Sequence, residues 1–304
     1  MVRILSIDGG GIRGIVPLCI LSIVEKQTGQ PIYKLFDIIS GTSTGAIIAG
    51  LLAVGTPIED ILAFYLGDDA KKIFSKSLLN SINCPKYGCK NIEDILQTAF
   101  KGKQFKDCLT GLVIPADDWA NRQGHVFSSF EIQDAELWKA VRASSAAETY
   151  FKAFNDNNGS CFFDGGLYAN NPTDLAIIEA VKYLNTKPED LFIVSLGTGT
   201  MVEKISPKEI EKFWWKDFAF QLIPEIMDRI TSKTHDLLSK ILPSDKYFRL
   251  QFDCPKEFEA MDNVDDKNLE GLKSLADSYI TSIWQNDINS VVSLLATVDL
   301  VAQK

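Results

Sequence analysis

The chain has 304 residues, 46% of them hydrophobic and 23% charged, with a formal net charge of −9, a pI near 4.9 and a mean hydropathy of +0.02. That balance describes a globular protein able to bury a full core and argues against a disordered one. It argues equally against nucleic acid as a partner, because a phosphate backbone needs clustered Lys and Arg.

Val2 to Ile7 reads as a β-strand, followed by the loop Asp8-Gly9-Gly10-Gly11-Ile12-Arg13-Gly14 and a helix from Ile15 to Gln27 that Gly29 stops. Pro31 to Phe36 leads into a second strand within the apolar run Leu35-Phe36-Asp37-Ile38-Ile39-Ser40. That run gives way to Gly41-Thr42-Ser43-Thr44-Gly45 and a helical stretch from Ala46 to Ala53. Two strand, glycine-turn, helix units in succession imply a parallel sheet with helices on its faces. Helical spacing recurs over Ile58 to Leu66 and Asn91 to Phe100, with a turn-rich segment between them. Leu112 to Ala116 and Gly124 to Ser128 read as strands, Glu136 to Ala147 as a helix, Cys161 to Phe163 as a short strand, Pro172 to Leu184 as a helix and Leu191 to Leu196 as a buried strand. Farther on, Glu209 to Leu242 reads as mainly helical, Tyr247 to Asp253 as an edge strand, and Asn268 to Val298 as one or two closing helices.

No linker, repeat or low-complexity tract divides the chain. It is therefore read as one α/β domain over residues 1–304, with the motifs in 1–200 and a helical and edge-strand completion in 201–304. No run is long enough to span a bilayer and no leader precedes the strand at Val2, so a cytoplasmic protein is expected, with peripheral membrane contact or signal-less export left open. The six cysteines read as free thiols. The close pair Cys84 and Cys89 reads as a cysteine-flanked turn in preference to a zinc half-site, and Asn158-Gly159-Ser160 as a turn.

Gly41-x-Ser43-x-Gly45 stands between a strand and a helix. A GxSxG turn there forces the serine into a strained conformation, and a Cβ at either glycine would collide with the neighbouring strand or helix. Ser43 Oγ would then stand at the head of a helix, where the dipole and the Thr44 N–H favour the negative charge of an acyl-transfer intermediate. The competing reading is an ordinary glycine-rich turn. Gly9-x-Gly11-x-x-Gly14 fits either a dinucleotide fingerprint or a loop whose amides converge as an oxyanion hole. Asp8 would set a carboxylate against a pyrophosphate, and Asp37 precedes its strand instead of ending it, so the oxyanion loop is preferred. Arg13 reads as a ligand for a lipid headgroup phosphate or as a structural arginine that pins the loop.

A serine nucleophile needs a base. His125 reads as a core or edge residue of a strand, and His235 as part of the polar face of a helix. Asp164 follows an apolar strand and precedes Gly165-Gly166, the position from which a carboxylate reaches into a site at a strand end. A carboxylate can serve as base where the site is dry enough to raise its basicity; the alternative is a β-turn aspartate. The aromatic-rich stretch Phe213 to Ile223 reads as helix core or as lipid-facing surface.

Five blocks occur in order: Asp8 to Gly14; Gly41 to Gly45; Ala143-Ser144-Ser145-Ala146-Ala147 with Thr149-Tyr150-Phe151; Asp164-Gly165-Gly166 with Asn170-Asn171-Pro172; and Ser195-Leu196-Gly197-Thr198-Gly199. Together they resemble the patatin-like phospholipase family over residues 1 to about 200, with a weaker echo over Tyr247 to Asp253 and Asn268 to Leu275. The resemblance implies a mostly parallel sheet sandwiched between helices, a catalytic dyad of Ser43 and Asp164, and an oxyanion hole in the Gly9, Gly10, Gly11 loop, to which the Thr44 amide adds. It further implies hydrolysis of fatty acyl esters of phospholipids, lysophospholipids or galactolipids through an acyl-enzyme, with no metal or organic cofactor. Transient contact with a membrane surface goes with such a substrate. One residue departs from the family's pattern, Glu148, where proline is usual. The rival readings are a nucleotide-dependent oxidoreductase built on Gly9 to Gly14 and a non-catalytic lipid-binding scaffold.

Overall fold

A computed structural model describes residues 1–75, 85–202, 205–212 and 215–296, with side chains in the last stretch from residue 222 onward. Two unbroken apolar runs, β1 (Val2–Ile7) and β7 (Leu191–Leu196), form the centre of the main sheet and are buried along their whole length. Strands covered on both faces carry this composition. On one side of this pair β2 (Ile38–Gly41) and then β3 (Gly111–Asp118) add in parallel, and on the other β9 (Tyr247–Leu250) does the same. β3 carries antiparallel neighbours as well: β4 (Gln123–Ser128) along one edge and, beyond the end of β2 on the other, β6 (Cys161–Phe163), which pairs with β5 (Phe154–Asn155). A separate parallel pair joins β8 (Thr200–Met201) to β10 (Asp253–Cys254).

The helices are α1 (Ile15–Thr28), α2 (Thr44–Ala53), α3 (Ile58–Leu66), α4 (Asp68–Ile73), α5 (Cys89–Phe100), α6 (Leu137–Ser144), α7 (Gly166–Ala169), α8 (Thr173–Tyr183), α9 (Pro207–Ile210), α10 (Trp215–Ile241), α11 (Asp266–Ser282) and α12 (Gln285–Ala296). Because successive side chains of a strand point to opposite faces, Leu5, Ile39, Leu112 and Val194 pack with Leu18 of α1, Ile48 of α2, Leu272 of α11 and Val291 of α12. On the other face Ile4, Ile38, Val113 and Ile193 pack with Ala176 and Ala180 of α8 and Leu238 of α10. Each Leu, Ile or Val side chain so buried contributes about 1.5–3 kcal/mol of transfer free energy. The fold is therefore α/β, a mostly parallel sheet between helical layers. Among the described residues no helix is long and apolar enough to cross a membrane.

The register places the loops. Ile7 stands beside Gly41 on one side and beside Leu196 on the other. The segments leaving the C-terminal ends of β1, β2 and β7 therefore emerge side by side, at the edge where open parallel sheets carry their sites.

Several boundaries differ from the sequence expectation for reasons visible in the contacts. The second strand begins at Ile38, because Ile32–Lys34 form a 3-10 turn first. The helix expected from Glu136 to Ala147 stops at Ser144, since the Ser144 and Ala146 carbonyls accept from the amides of Gly165 and Asp164 instead of continuing the helix. The expected strand Tyr247 to Asp253 divides at Gln251, whose side chain accepts from the amide of Gly199. Asn158-Gly159-Ser160 lies in the turn joining β5 to β6, with Gly159 at φ 102°. Cys84 and the side chains of the 213–221 aromatic stretch lie outside the described residues.

Candidate active site

β2 ends at Gly41 and α2 begins at Thr44, so Thr42 and Ser43 make the whole turn. Ser43 has φ 55° and ψ −117°, a conformation that costs on the order of 1–3 kcal/mol for a residue with a side chain. The flanking glycines leave no choice. A Cβ on Gly41 would lie 2.0 Å from the Gly45 carbonyl oxygen, and one on Gly45 would lie 2.2 Å from the Ile7 carbonyl oxygen. The strained residue is held from the C-terminal end of α6: its amide donates to Ser144 Oγ at 3.0 Å, and Ser145 Oγ donates to its carbonyl at 3.1 Å.

Asp164 leaves β6 directly beneath this elbow. Ser43 Oγ donates to Asp164 Oδ2 at 2.7 Å, and the Gly166 amide donates to Oδ1 at 2.8 Å. The carboxyl is buried. Burial pushes it up to about 6, against the lowering pull of Ser43, the Gly166 amide and the Arg142 guanidinium. Near neutral pH Asp164 is thus an anion of raised basicity. Arg142 is itself fully buried, bonded to Glu93, to the Lys152 carbonyl and to Cys89 Sγ.

The glycine loop is fixed from three sides. The Gly9 amide donates to the Asn170 carbonyl at 3.1 Å, Thr198 Oγ1 donates to the Gly9 carbonyl, and the Ile12 amide donates to the Met261 carbonyl at 2.8 Å. The Gly9 amide is spent there. The amides of Gly10, Gly11 and Thr44 have no partner among the described residues, and all three residues line the same cavity as Ser43 and Asp164. Away from these groups the cavity wall is mostly apolar, with Ile47, Phe64, Ile73, Phe74, Phe151 and Met227, and carries Glu148 as well.

Two of the expected site residues lie elsewhere. Gly9 and Arg13 line a smaller, more polar cavity, which adjoins the first at Met227 and Met261, with Asp8, Thr198 and Asp228. Arg13 is buried there, its Nε 3.4 Å from the Gly10 carbonyl and its Nη1 3.8 Å from Cys254 Sγ. Asp8 forms a buried ion pair with Arg249 of β9, and Asp37 accepts from the Arg3 amide ahead of β2. Neither histidine lines the Ser43 cavity. His125 packs its ring on Phe127 and Phe162 in β4 and β6. His235, expected on a polar face, is half-buried with Nδ1 3.2 Å from the Tyr247 hydroxyl, because Thr231 and Leu238 on the same side of α10 turn inward. In the sequence Ser144 and Ser145 stand out only as part of the block Ala143 to Ala147. Their adjacency after an amphipathic helix was the one available signal, and nothing in the sequence told that one holds the amide and the other the carbonyl of Ser43.

An α/β sheet with a strained elbow serine bonded to a buried aspartate, without histidine, and facing an apolar cavity defines a narrow class of protein. Residues 5–177, more than half of the chain, match the family described as patatin-like phospholipase, and the chain belongs to that family. It is 31% identical over 265 residues to the cUMP-AMP-activated phospholipase of Escherichia coli, covering 80% of this chain and 79% of that protein. It is 34% identical over 258 residues to patatin-like protein 2 of Arabidopsis thaliana, covering 69% of this chain and 63% of that one. With calcium-independent phospholipase A2-gamma of Rattus norvegicus the identity is 31% over 303 residues, 90% of this chain and 38% of the rat protein. Among solved structures VipD from Legionella pneumophila superimposes with a TM-score of 0.54 at 14% identity, covering 91% of this chain and 67% of that one, a likeness of fold. Membership of this family implies a lipid acyl hydrolase.

Proposed function

We propose that the protein is a serine esterase of phospholipase A type that cleaves fatty acyl esters of phospholipids or lysophospholipids by a Ser43/Asp164 dyad. The observation that carries the reading is the 2.7 Å hydrogen bond from Ser43 Oγ to Asp164 Oδ2 in the wall of a mostly apolar cavity. In acylation Asp164 takes the Ser43 proton as Oγ attacks the ester carbonyl. The negative charge that develops on the carbonyl oxygen falls to the unpartnered amides of Gly10, Gly11 and Thr44, at the head of α2. Gly9 serves by tethering the loop, and Arg13 by bracing it from behind.

Asp164 then returns the proton to the departing alcohol. In the second half it deprotonates the water that attacks the acyl-enzyme, and as the bond from Ser43 Oγ to the acyl carbon breaks it passes that proton to Oγ, releasing the fatty acid. The apolar wall takes the acyl chain, and a membrane surface is met only while the chain enters. Residues 1–304 act as one unit in this reading, because Arg249 and Met261 hold the glycine loop from the C-terminal third.

The test is hydrolysis of a phospholipid with different acyl chains at its two positions, by the wild type and by a folded Ser43→Ala variant. The wild type is expected to release fatty acid and the variant none. Equal release by both would overturn the assignment.

A further inference from the structure

Glu148 lies in the turn that follows α6 and lines the cavity with Ser43 and Asp164. Its Oε1 is buried with no hydrogen-bond partner among the described residues. Two carboxylates that share one cavity repel each other, so one of them holds its proton to a higher pH than the other. Asp164 takes the charge, because Ser43 Oγ, the Gly166 amide and Arg142 all favour its anion. Glu148 has no side-chain donor among the described residues. Burial first, then the charge of Asp164, push its carboxyl up to about 8, with Asp117 of β3 adding to this against a pull from the backbone amides of Glu148 and Asp164. Among the described residues the other titratable side chains on the cavity wall are Tyr65 and Tyr150, both raised by burial, Tyr150 to about 12, so their hydroxyls stay neutral through pH 9.

Glu148 as a whole is half-buried, and an acyl chain entering this cavity covers the part of it still open to water. Over a neutral acid that costs little; over a carboxylate with an unpartnered oxygen it costs much more, because desolvation disfavours the charged form. We propose that Glu148 makes occupation of the cavity proton-linked, so that the acyl chain binds while Glu148 carries its proton and is disfavoured once that proton is lost. The inference rests on the reading of the apolar wall as the acyl-chain site. It assigns to this chain a specificity-determining acid beside the dyad, acting on chain binding and not on the serine.

The experiment is calorimetric titration with dodecanol, a neutral chain that has no ester to cleave, at pH 7 and pH 9. One linked proton lost at about pH 8 makes the wild-type Kd about tenfold weaker at pH 9 than at pH 7. Glu148→Gln should bind equally at both pH values, and Glu148→Asp should restore the pH dependence. If Glu148→Gln does not fold, Glu148→Met removes the same proton and takes its place. Wild-type binding independent of pH, or the same weakening in the Gln variant, overturns the inference alone. Absence of dodecanol binding at either pH overturns the acyl-chain site and the inference with it.

Discussion

Arg249 grips Asp8 from 241 residues farther along the chain, Nη1 to Oδ1 at 3.0 Å with Nη2 on Oδ2, and both side chains are buried. The same guanidinium donates to Ser195 Oγ at 2.8 Å. Strand β9 thereby reaches across β7 to the base of the glycine loop. Removing one partner leaves the other charge buried without compensation, at a cost of about 3–5 kcal/mol. Arg249→Met is expected to lose that much stability in urea unfolding, and Asp8→Asn in the same chain to recover part of it. A loss under about 1 kcal/mol for Arg249→Met would show that the pair does not brace the loop.

Gly45 tests the elbow's packing without touching the chemistry. Its missing Cβ faces the Ile7 carbonyl at 2.2 Å, and both atoms sit on backbone that the central sheet holds in place. Gly45→Ala is expected to destabilise the fold by several kcal/mol or to prevent its recovery in soluble form. Gly88 is the control, since nothing lies within 4 Å of its Cβ position and its φ is −77°. Thermal melting of the two alanine variants should separate them widely.

Asp164→Asn should lower turnover by ~10²–10⁴, the usual contribution of a general base, while raising stability. The sign follows from the proton balance. With a folded value of about 6 against 3.8 for the ordinary carboxyl, the folded state binds this proton more tightly than the unfolded one. The group therefore costs stability progressively as pH rises from about 4 to about 6, and the cost is constant above that. At pH 7 the Asn variant should be the more stable by up to about 3 kcal/mol, and the gap should close below pH 4. Denaturant midpoints at the two pH values decide it.

The third predicted outcome for the chemistry concerns the histidines. His125 and His235 are half-buried against aromatic rings, burial lowers both, and neither reaches the Ser43 cavity. The double variant His125→Ala, His235→Ala should keep ester hydrolysis within about tenfold of the wild type once its folding is verified, the loss reflecting stability. A drop comparable to that of Ser43→Ala would place a histidine in the mechanism.

Much of the fold was legible because its signals are local. The spans of β1, β6, β7 and α3 coincide with those read from apolar runs, and Gly41 and Gly45 announced a turn that only glycine permits. What escaped was set by contacts distant in sequence. Nothing near Gln251 foretells that it will bond Gly199 and split the last strand, and α4 is too short for periodicity to reveal. At the site, the pairing of Ser43 with Asp164 was expected from their motifs. The division of the glycine loop was not: Gly9 spends its amide on Asn170 and faces a different cavity from Gly10 and Gly11. A sequence of three glycines carries no mark of which amides remain free.

The central claim is that Ser43 is a nucleophile activated by Asp164, and the rate and position of fluorophosphonate labelling test it most directly. Peptide mass spectrometry of the labelled wild type should find the phosphonyl group on Ser43, and Asp164→Asn should label at least a hundredfold more slowly, since the hydroxyl then has no base. Labelling at another residue, no labelling of the folded wild type, or equal rates in wild type and Asp164→Asn would contradict it.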